Sequence, residues 1–156
     1  MKTFVWDSSA IVNIKEPNRH GYSPGYSLYK DLSDGWIPGP YKNIFPSIAV
    51  FEVSATVSRK QREGKRILRE FYIMDEHSHI YPIDEAFIKK SYRLLSMDGF
   101  CDLRGADLII ACVAFLEKAY LVTLDKGFQK VSSHIDLVDL NDSRESVRYR
   151  NLFEIK

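Results

Sequence analysis

Three carboxylates stand where an α/β chain could bring them to one place. Asp125 closes the run Ala119-Tyr120-Leu121-Val122-Thr123-Leu124-Asp125. An apolar, β-rich run of this length reads as a buried strand. Asp107 lies eighteen residues earlier, near the start of Gly105-Ala106-Asp107-Leu108-Ile109-Ile110-Ala111-Cys112-Val113-Ala114-Phe115-Leu116. That run is apolar nearly all round and long enough for a buried helix. From Asp107 to Glu117 a helix advances about 15 Å. From Tyr120 to Asp125 a strand returns about 16 Å. The two legs nearly cancel, so Asp107 and Asp125 are expected at the same end of the molecule.

The N-terminus repeats the pattern. Lys2-Thr3-Phe4-Val5-Trp6-Asp7 is a second β-rich run ending on an acid, and Ser8-Ser9-Ala10-Ile11-Val12-Asn13 reads as a helix start. Two strands that each end on a carboxylate put those acids on one edge of a parallel sheet, the edge where open α/β sheets bind ligands. Glu52 is the fourth acid. It lies in Pro46-Ser47-Ile48-Ala49-Val50-Phe51-Glu52-Val53, read as a helix from about Ser47, and is the only charge in the first three turns. A carboxylate in such surroundings is costly unless something pairs with it.

Each acid alone has an ordinary alternative. Asp7 and Asp107 could cap helices, Glu52 could face solvent, and Asp125-Lys126-Gly127 is good turn chemistry. As a set they are harder to dismiss, because three placements, Asp7, Asp107 and Asp125, converge on one edge, and the motifs offer no basic partner. Clustered carboxylates repel and raise one another's pKa values. A hard divalent cation such as Mg²⁺ or Mn²⁺ removes that repulsion, because it favours oxygen ligands.

At four places the sequence resembles the PIN domain family, and within it the VapC-type toxins of toxin–antitoxin pairs. Val5-Trp6-Asp7-Ser8-Ser9-Ala10 is similar to the family's first strand, an acid followed by Ser or Thr. Phe45-Pro46-Ser47-Ile48-Ala49-Val50-Phe51-Glu52-Val53 is similar to its Pro-to-Glu helix start. Gly105-Ala106-Asp107-Leu108-Ile109-Ile110-Ala111 resembles the third motif, and Leu121-Val122-Thr123-Leu124-Asp125-Lys126-Gly127-Phe128 the Thr-x-Asp-x-x-Phe motif. Two departures stand out. Position 127 is Gly where some relatives carry a further acid, and residues 14–45 are long and rich in Gly, Pro and Tyr where a compact helical hairpin is usual.

The resemblance implies a PIN-like three-layer α/β/α fold around a central parallel sheet. The expected organisation is a nuclease domain over residues 1–140, with a loop-rich insert at about 14–45 read from its Gly, Pro and Tyr content, followed by a C-terminal tail at 141–156. The resemblance also implies hydrolysis of RNA phosphodiesters, with Asp7, Glu52, Asp107 and Asp125 holding Mg²⁺ or Mn²⁺. A homodimer and a small antitoxin protein are the partners it implies. Thr123 lies two residues before Asp125, on the same strand side. Its hydroxyl and that of Ser8 are candidates to bond a carboxylate or a phosphate. Free-standing RNA processing and a catalytically silent binding module remain alternative readings. A haloacid-dehalogenase-like phosphatase is disfavoured, because that class wants Asp-x-Asp after the first strand and position 9 is Ser.

Positioning these residues requires alternating elements. The expected order is strand 3–7, a helix from about 9, the insert with a short helix near Tyr26 to Ser33, helix 47–62, a helix from about 66, strand 78–83, helix 84–97, helix 105–117, strand 120–125, a short helical turn and strand 134–139. Such alternation argues for a parallel sheet covered by helices. Tyr22, Tyr26, Tyr29, Trp36 and Tyr41 crowd the insert and read as a plug over the core or an interface surface.

The 156 residues suffice for one domain with a real core. Their 45% apolar and 28% charged content is that of an ordinary soluble globular chain. A net charge of +1 gives no general nucleic-acid footprint. Arg59, Lys60 and Arg62 open a local basic cluster, read either as a solvated helix end or as an RNA-backbone contact. Cys101 and Cys112 lack metal or redox spacing. His77 and His79 share a strand side but lack a third ligand, so they read as surface histidines. With no signal-length apolar stretch and no run of ~20 apolar residues, the expected location is the cytoplasm, without a membrane span.

Overall fold

The computed structural model describes residues 1–16, 23–63 and 75–141. Its frame is a five-stranded, all-parallel sheet in the order β3-β2-β1-β4-β5, flanked by helices, the PIN-like α/β/α arrangement. The strands are β1 (Lys2–Trp6), β2 (Tyr41–Pro46), β3 (Ser78–Tyr81), β4 (Tyr120–Thr123) and β5 (Leu137–Asp139). The helices are α1 (Ser8–Lys15), α2 (Pro24–Ser33), α3 (Ser47–Arg62), α4 (Glu85–Ser91) and α5 (Gly105–Leu116). Short 3₁₀ segments follow α4 at Tyr92–Ser96 and β4 at Lys126–Val131.

The central strands read as continuous apolar runs because helices cover both faces of a parallel sheet. Phe4, Val5 and Trp6 of β1 and Leu121 and Val122 of β4 are fully buried. The register pairs Phe4 with Tyr120, Val5 with Leu121 and Trp6 with Val122. One step further, the Asp7 amide donates to the Val122 carbonyl at 3.0 Å. The sheet therefore sets Asp7 beside Thr123 before any side chain is considered. In α5, Ile110 to Ala114 are all buried, as expected of a helix apolar nearly all round.

Residues 23–45 contain the short helix expected near Tyr26 to Ser33, as α2, and add two features that the loop-rich reading did not include. First, α2 packs on α1 as a helical hairpin. Pro24 occupies the first helical turn, Ser23 donates its hydroxyl to the Asn13 carbonyl, and the Gly25 amide donates to Asn13 Oδ1 at 2.8 Å. A Cβ on Gly25 would stand 3.0 Å from the Ala10 carbonyl oxygen, so glycine lets the two helices close. Second, Tyr41–Pro46 forms a strand, β2, between β1 and β3. Its first half is polar on paper. Asn43 is nonetheless fully buried and accepts the Trp6 Nε1–H at 3.0 Å, which satisfies the indole inside the core. Of the aromatic cluster, Tyr29 turns inward to meet Trp6 edge-on, with ring centres 6.1 Å apart, whereas Trp36 is 65% exposed. Tyr22, the helix expected from about 66 and the tail beyond Asn141 lie outside the described residues.

Candidate metal centre at the carboxyl edge of the sheet

Asp7 sits at the floor of the site, 4% exposed and one residue beyond β1. Its carboxylate caps α1, accepting from the Ser8 amide at 2.7 Å. It also accepts the Ser9 hydroxyl at 2.5 Å and the Thr123 hydroxyl at 3.0 Å. Burial pushes the Asp7 carboxyl above the usual carboxylate range, against these hydrogen bonds, which favour its ionised form.

Thr123 is buried at the end of β4 and serves two partners. Its hydroxyl donates to Asp7 and accepts the Asp125 amide at 2.8 Å. Asp125 then caps the 3₁₀ turn, accepting from the Gly127 amide at 2.7 Å. Glu52 projects from the second turn of α3, where its Oε2 accepts the Ser8 hydroxyl. Asp107 lies in the first turn of α5, where the helix dipole favours an acid. Its carboxyl is raised by burial first, then by the charges of Asp7, Asp125 and Glu52, while Lys130 acts the other way. Four carboxylates from four elements thus share one electrostatic neighbourhood.

Ser8 and Thr123, the two hydroxyls singled out from the sequence, each bond one of these carboxylates. Ser9 does more than its place in the motif indicated. Its hydroxyl donates to Asp7 and accepts the Leu124 amide at 3.1 Å, tying the start of α1 to the end of β4. The sequence signal was a second serine directly after the strand acid. Asp102 contributes its carbonyl, which accepts Lys130 Nζ at 3.2 Å.

Arg59, Lys60 and Arg62 lie elsewhere. The helix α3 starts at the acid edge and runs away from it, so Arg62 is about 15 Å along the axis from Glu52. Lys60 pairs with Glu16 at 2.5 Å, and Arg59 donates to the Thr56 hydroxyl at 3.2 Å. Arg59, Arg62 and Glu63 line a shallow open cavity there.

The donor set suits a hard divalent cation: four carboxylates, neutral hydroxyls and no thiolate. Among the described residues, however, no three His, Cys, Asp or Glu side chains already form a ready metal cage. Three of the acids are engaged by the Ser8, Ser9 and Thr123 hydroxyls and the Gly127 amide.

The sequence model of the PIN domain family matches residues 5–133, a span that takes in all four acids. The chain belongs to the PIN domain family. PIN domains are generally nucleases that use divalent metals, which agrees in kind with this carboxylate edge. Two solved PIN-like folds are similar over nearly all of this one. The VapBC2 complex of Rickettsia felis bound to a promoter DNA fragment is 20% identical with a TM-score of 0.56, covering 88% of this chain and 98% of that one. A toxin–antitoxin complex from Klebsiella pneumoniae is 15% identical with a TM-score of 0.53, covering 86% and 94%. At these identities the likeness speaks for the fold. Among curated proteins no relative matches the PIN chain.

Proposed function

We propose that this PIN domain is a metal-dependent ribonuclease and the toxin of a toxin–antitoxin pair, hydrolysing RNA phosphodiester bonds. One observation carries the chemistry: Asp107 feels the charges of Asp7, Asp125 and Glu52 together. A divalent cation among such carboxylates offsets their mutual repulsion. Asp7, Glu52, Asp107 and Asp125 would hold Mg²⁺ or Mn²⁺, some through water. When bound, the ion supplies charge against the phosphate and acidifies a water nucleophile.

The chain's own groups set up that chemistry. Thr123 and Ser9 fix the orientation of Asp7, and Ser8 that of Glu52. Asp125 is held by its amide bond to Thr123 and by the amide of Gly127. The acids sit in the first two turns of two helices and just beyond two strand ends, which are rigid supports for a site that must hold charges at fixed separations.

The toxin assignment draws support from the two similar folds, both parts of toxin–antitoxin complexes. On this reading the protein works in the cytoplasm as a homodimer and is restrained by a small antitoxin. Among the described residues no helix is long and apolar enough to cross a membrane. Incubating the purified chain with RNA in Mn²⁺ or in EDTA tests the reading. Cleavage in Mn²⁺ that EDTA abolishes, and that Asp7→Asn lacks, is the expected result. Equal cleavage by Asp7→Asn would overturn it.

A further inference from the structure

We propose that Arg104, Lys126 and Lys130 form a basic rim beside the carboxylates that takes the backbone phosphates of an unpaired RNA strand. The inference rests on the nuclease reading above and adds the path of its substrate.

Position is the first ground. Arg104 directly precedes α5, three residues from Asp107. Lys126 follows Asp125, and Lys130 belongs to the same 3₁₀ turn. All three side chains are exposed. They bracket Asp107 and Asp125, the two acids nearest the surface on this side of the site.

Their lack of ionic partners is the second. Among the described residues the ion pairs are Lys42 with Glu117, Lys60 with Glu16, His77 with Glu76 and Lys89 with Glu85. None uses Arg104, Lys126 or Lys130. Lys130 gives its hydrogen bond to a neutral acceptor, the Asp102 carbonyl.

Rigidity is the third. Gly99 has φ +77°, and a Cβ there would come within 2.1 Å of the Lys130 carbonyl oxygen. The loop before α5 and the turn after β4 are therefore pressed together backbone to backbone. That contact, together with the Lys130–Asp102 bond, fixes both sides of the rim relative to each other.

The chemistry of the substrate explains the arrangement. A polyanion brought to an acidic edge is repelled, and flanking cations offset that repulsion on either side of the scissile bond. Asp7 is 4% exposed, so the phosphodiester must come down to the sheet edge. An unpaired strand bends that way more readily than a stiff duplex. The Arg59–Arg62 end of α3 is less suited, being about 15 Å along the helix from Glu52, with Lys60 already paired.

Fluorescence anisotropy tests the rim, using an unpaired RNA oligonucleotide and the full chain carrying Asp125→Asn to block cleavage. Each phosphate contact on a single strand contributes about 0.7 to the slope of log affinity against log salt. Arg104→Gln, Lys126→Gln and Lys130→Gln are each expected to lower the slope by about that amount, and the three together by about 2. Lys130→Arg should restore it, and Arg59→Gln with Arg62→Gln should leave it unchanged. An unchanged slope in rim variants that melt like the parent overturns the rim, even if the wild-type chain cleaves RNA. A wild-type chain that neither binds nor cleaves RNA overturns the nuclease reading, and the rim with it.

Discussion

Thr123 Oγ1 donates to Asp7 Oδ2 at 3.0 Å, joining the ends of two neighbouring parallel strands that are 116 residues apart in sequence. The same oxygen accepts the Asp125 amide at 2.8 Å, so one buried hydroxyl positions two of the four acids. Thr123→Val keeps the shape and removes both bonds. Leaving buried polar groups unpaired costs about 1–3 kcal/mol. Urea denaturation should show a loss of that size, with Mn²⁺ affinity falling as well. A variant as stable as the parent would mean that the hydroxyl is not needed to hold the edge together.

The pH dependence follows from Asp7 and Asp107, whose carboxyls are both pushed up, chiefly by burial. A raised folded-state pKa means that the native protein binds the proton more tightly than the unfolded chain. The stability this contributes is fully present below the ordinary carboxylate value and is lost as pH rises through the raised value. These two groups should therefore favour the metal-free fold in mild acid over neutral pH. Asp75 works in the opposite sense. Despite burial, the Tyr29 hydroxyl and other hydrogen bonds hold its carboxyl down, so its contribution is lost as pH falls. Melting temperatures across pH in EDTA, for wild type and for Asp7→Asn with Asp107→Asn, separate the two. The double variant should lose the gain in mild acid; an identical pH profile would contradict the assignment.

Asp107→Asn removes the acid that feels the other three. Without metal at neutral pH it should raise stability. Since Asp107 is half-buried, solvent screening keeps the gain near ~1 kcal/mol, or about 2–4 °C in a chain of this size. With saturating Mn²⁺ the order should reverse, because the wild type gains binding energy that the variant lacks. Differential scanning calorimetry in both conditions measures this, and a variant less stable than wild type in EDTA would speak against repulsion at the edge.

Much of this site could be read from the chain because it depends on element lengths. The out-and-back path from Asp107 to Asp125 needed only a helix rise and a strand rise, and strand ends set the edge for Asp7. β2 was hidden for the opposite reason. Lys42 and Asn43 break the apolar pattern, Pro46 closes the strand, and Gly39 and Pro40 precede it, all signals of a loop. Asn43 becomes a core residue only because Trp6, 37 positions away, offers its indole N–H. The α1–α2 hairpin likewise depends on Gly25 meeting Ala10 and Asn13, a contact that no local pattern announces. The grip of Ser9 on Leu124 is of the same long-range kind.

Gly99 offers a backbone test of how the two acid-bearing segments meet. Its φ of +77°, and the Lys130 carbonyl oxygen standing where a Cβ would go, leave no room for a side chain. Gly99→Ala should cost about 1–3 kcal/mol in backbone strain and weaken Mn²⁺ binding by shifting the turn that follows Asp125. Chemical denaturation with a Mn²⁺ titration checks both effects. Wild-type values in the two measurements would show that the contact is not tight.

The central claim is that Asp7, Glu52, Asp107 and Asp125 act as one metal-dependent unit. The most direct test is Mn²⁺-dependent cleavage of RNA by the wild-type chain beside Asp7→Asn, Glu52→Gln, Asp107→Asn and Asp125→Asn, all purified alike and shown to be folded. Each amide should lower the rate by about 10²-fold or more, the scale of losing one preorganised electrostatic group, and pairs should cost less than the sum of their single effects. Full activity in any one folded variant would remove that acid from the site, and full activity in all four would contradict the claim.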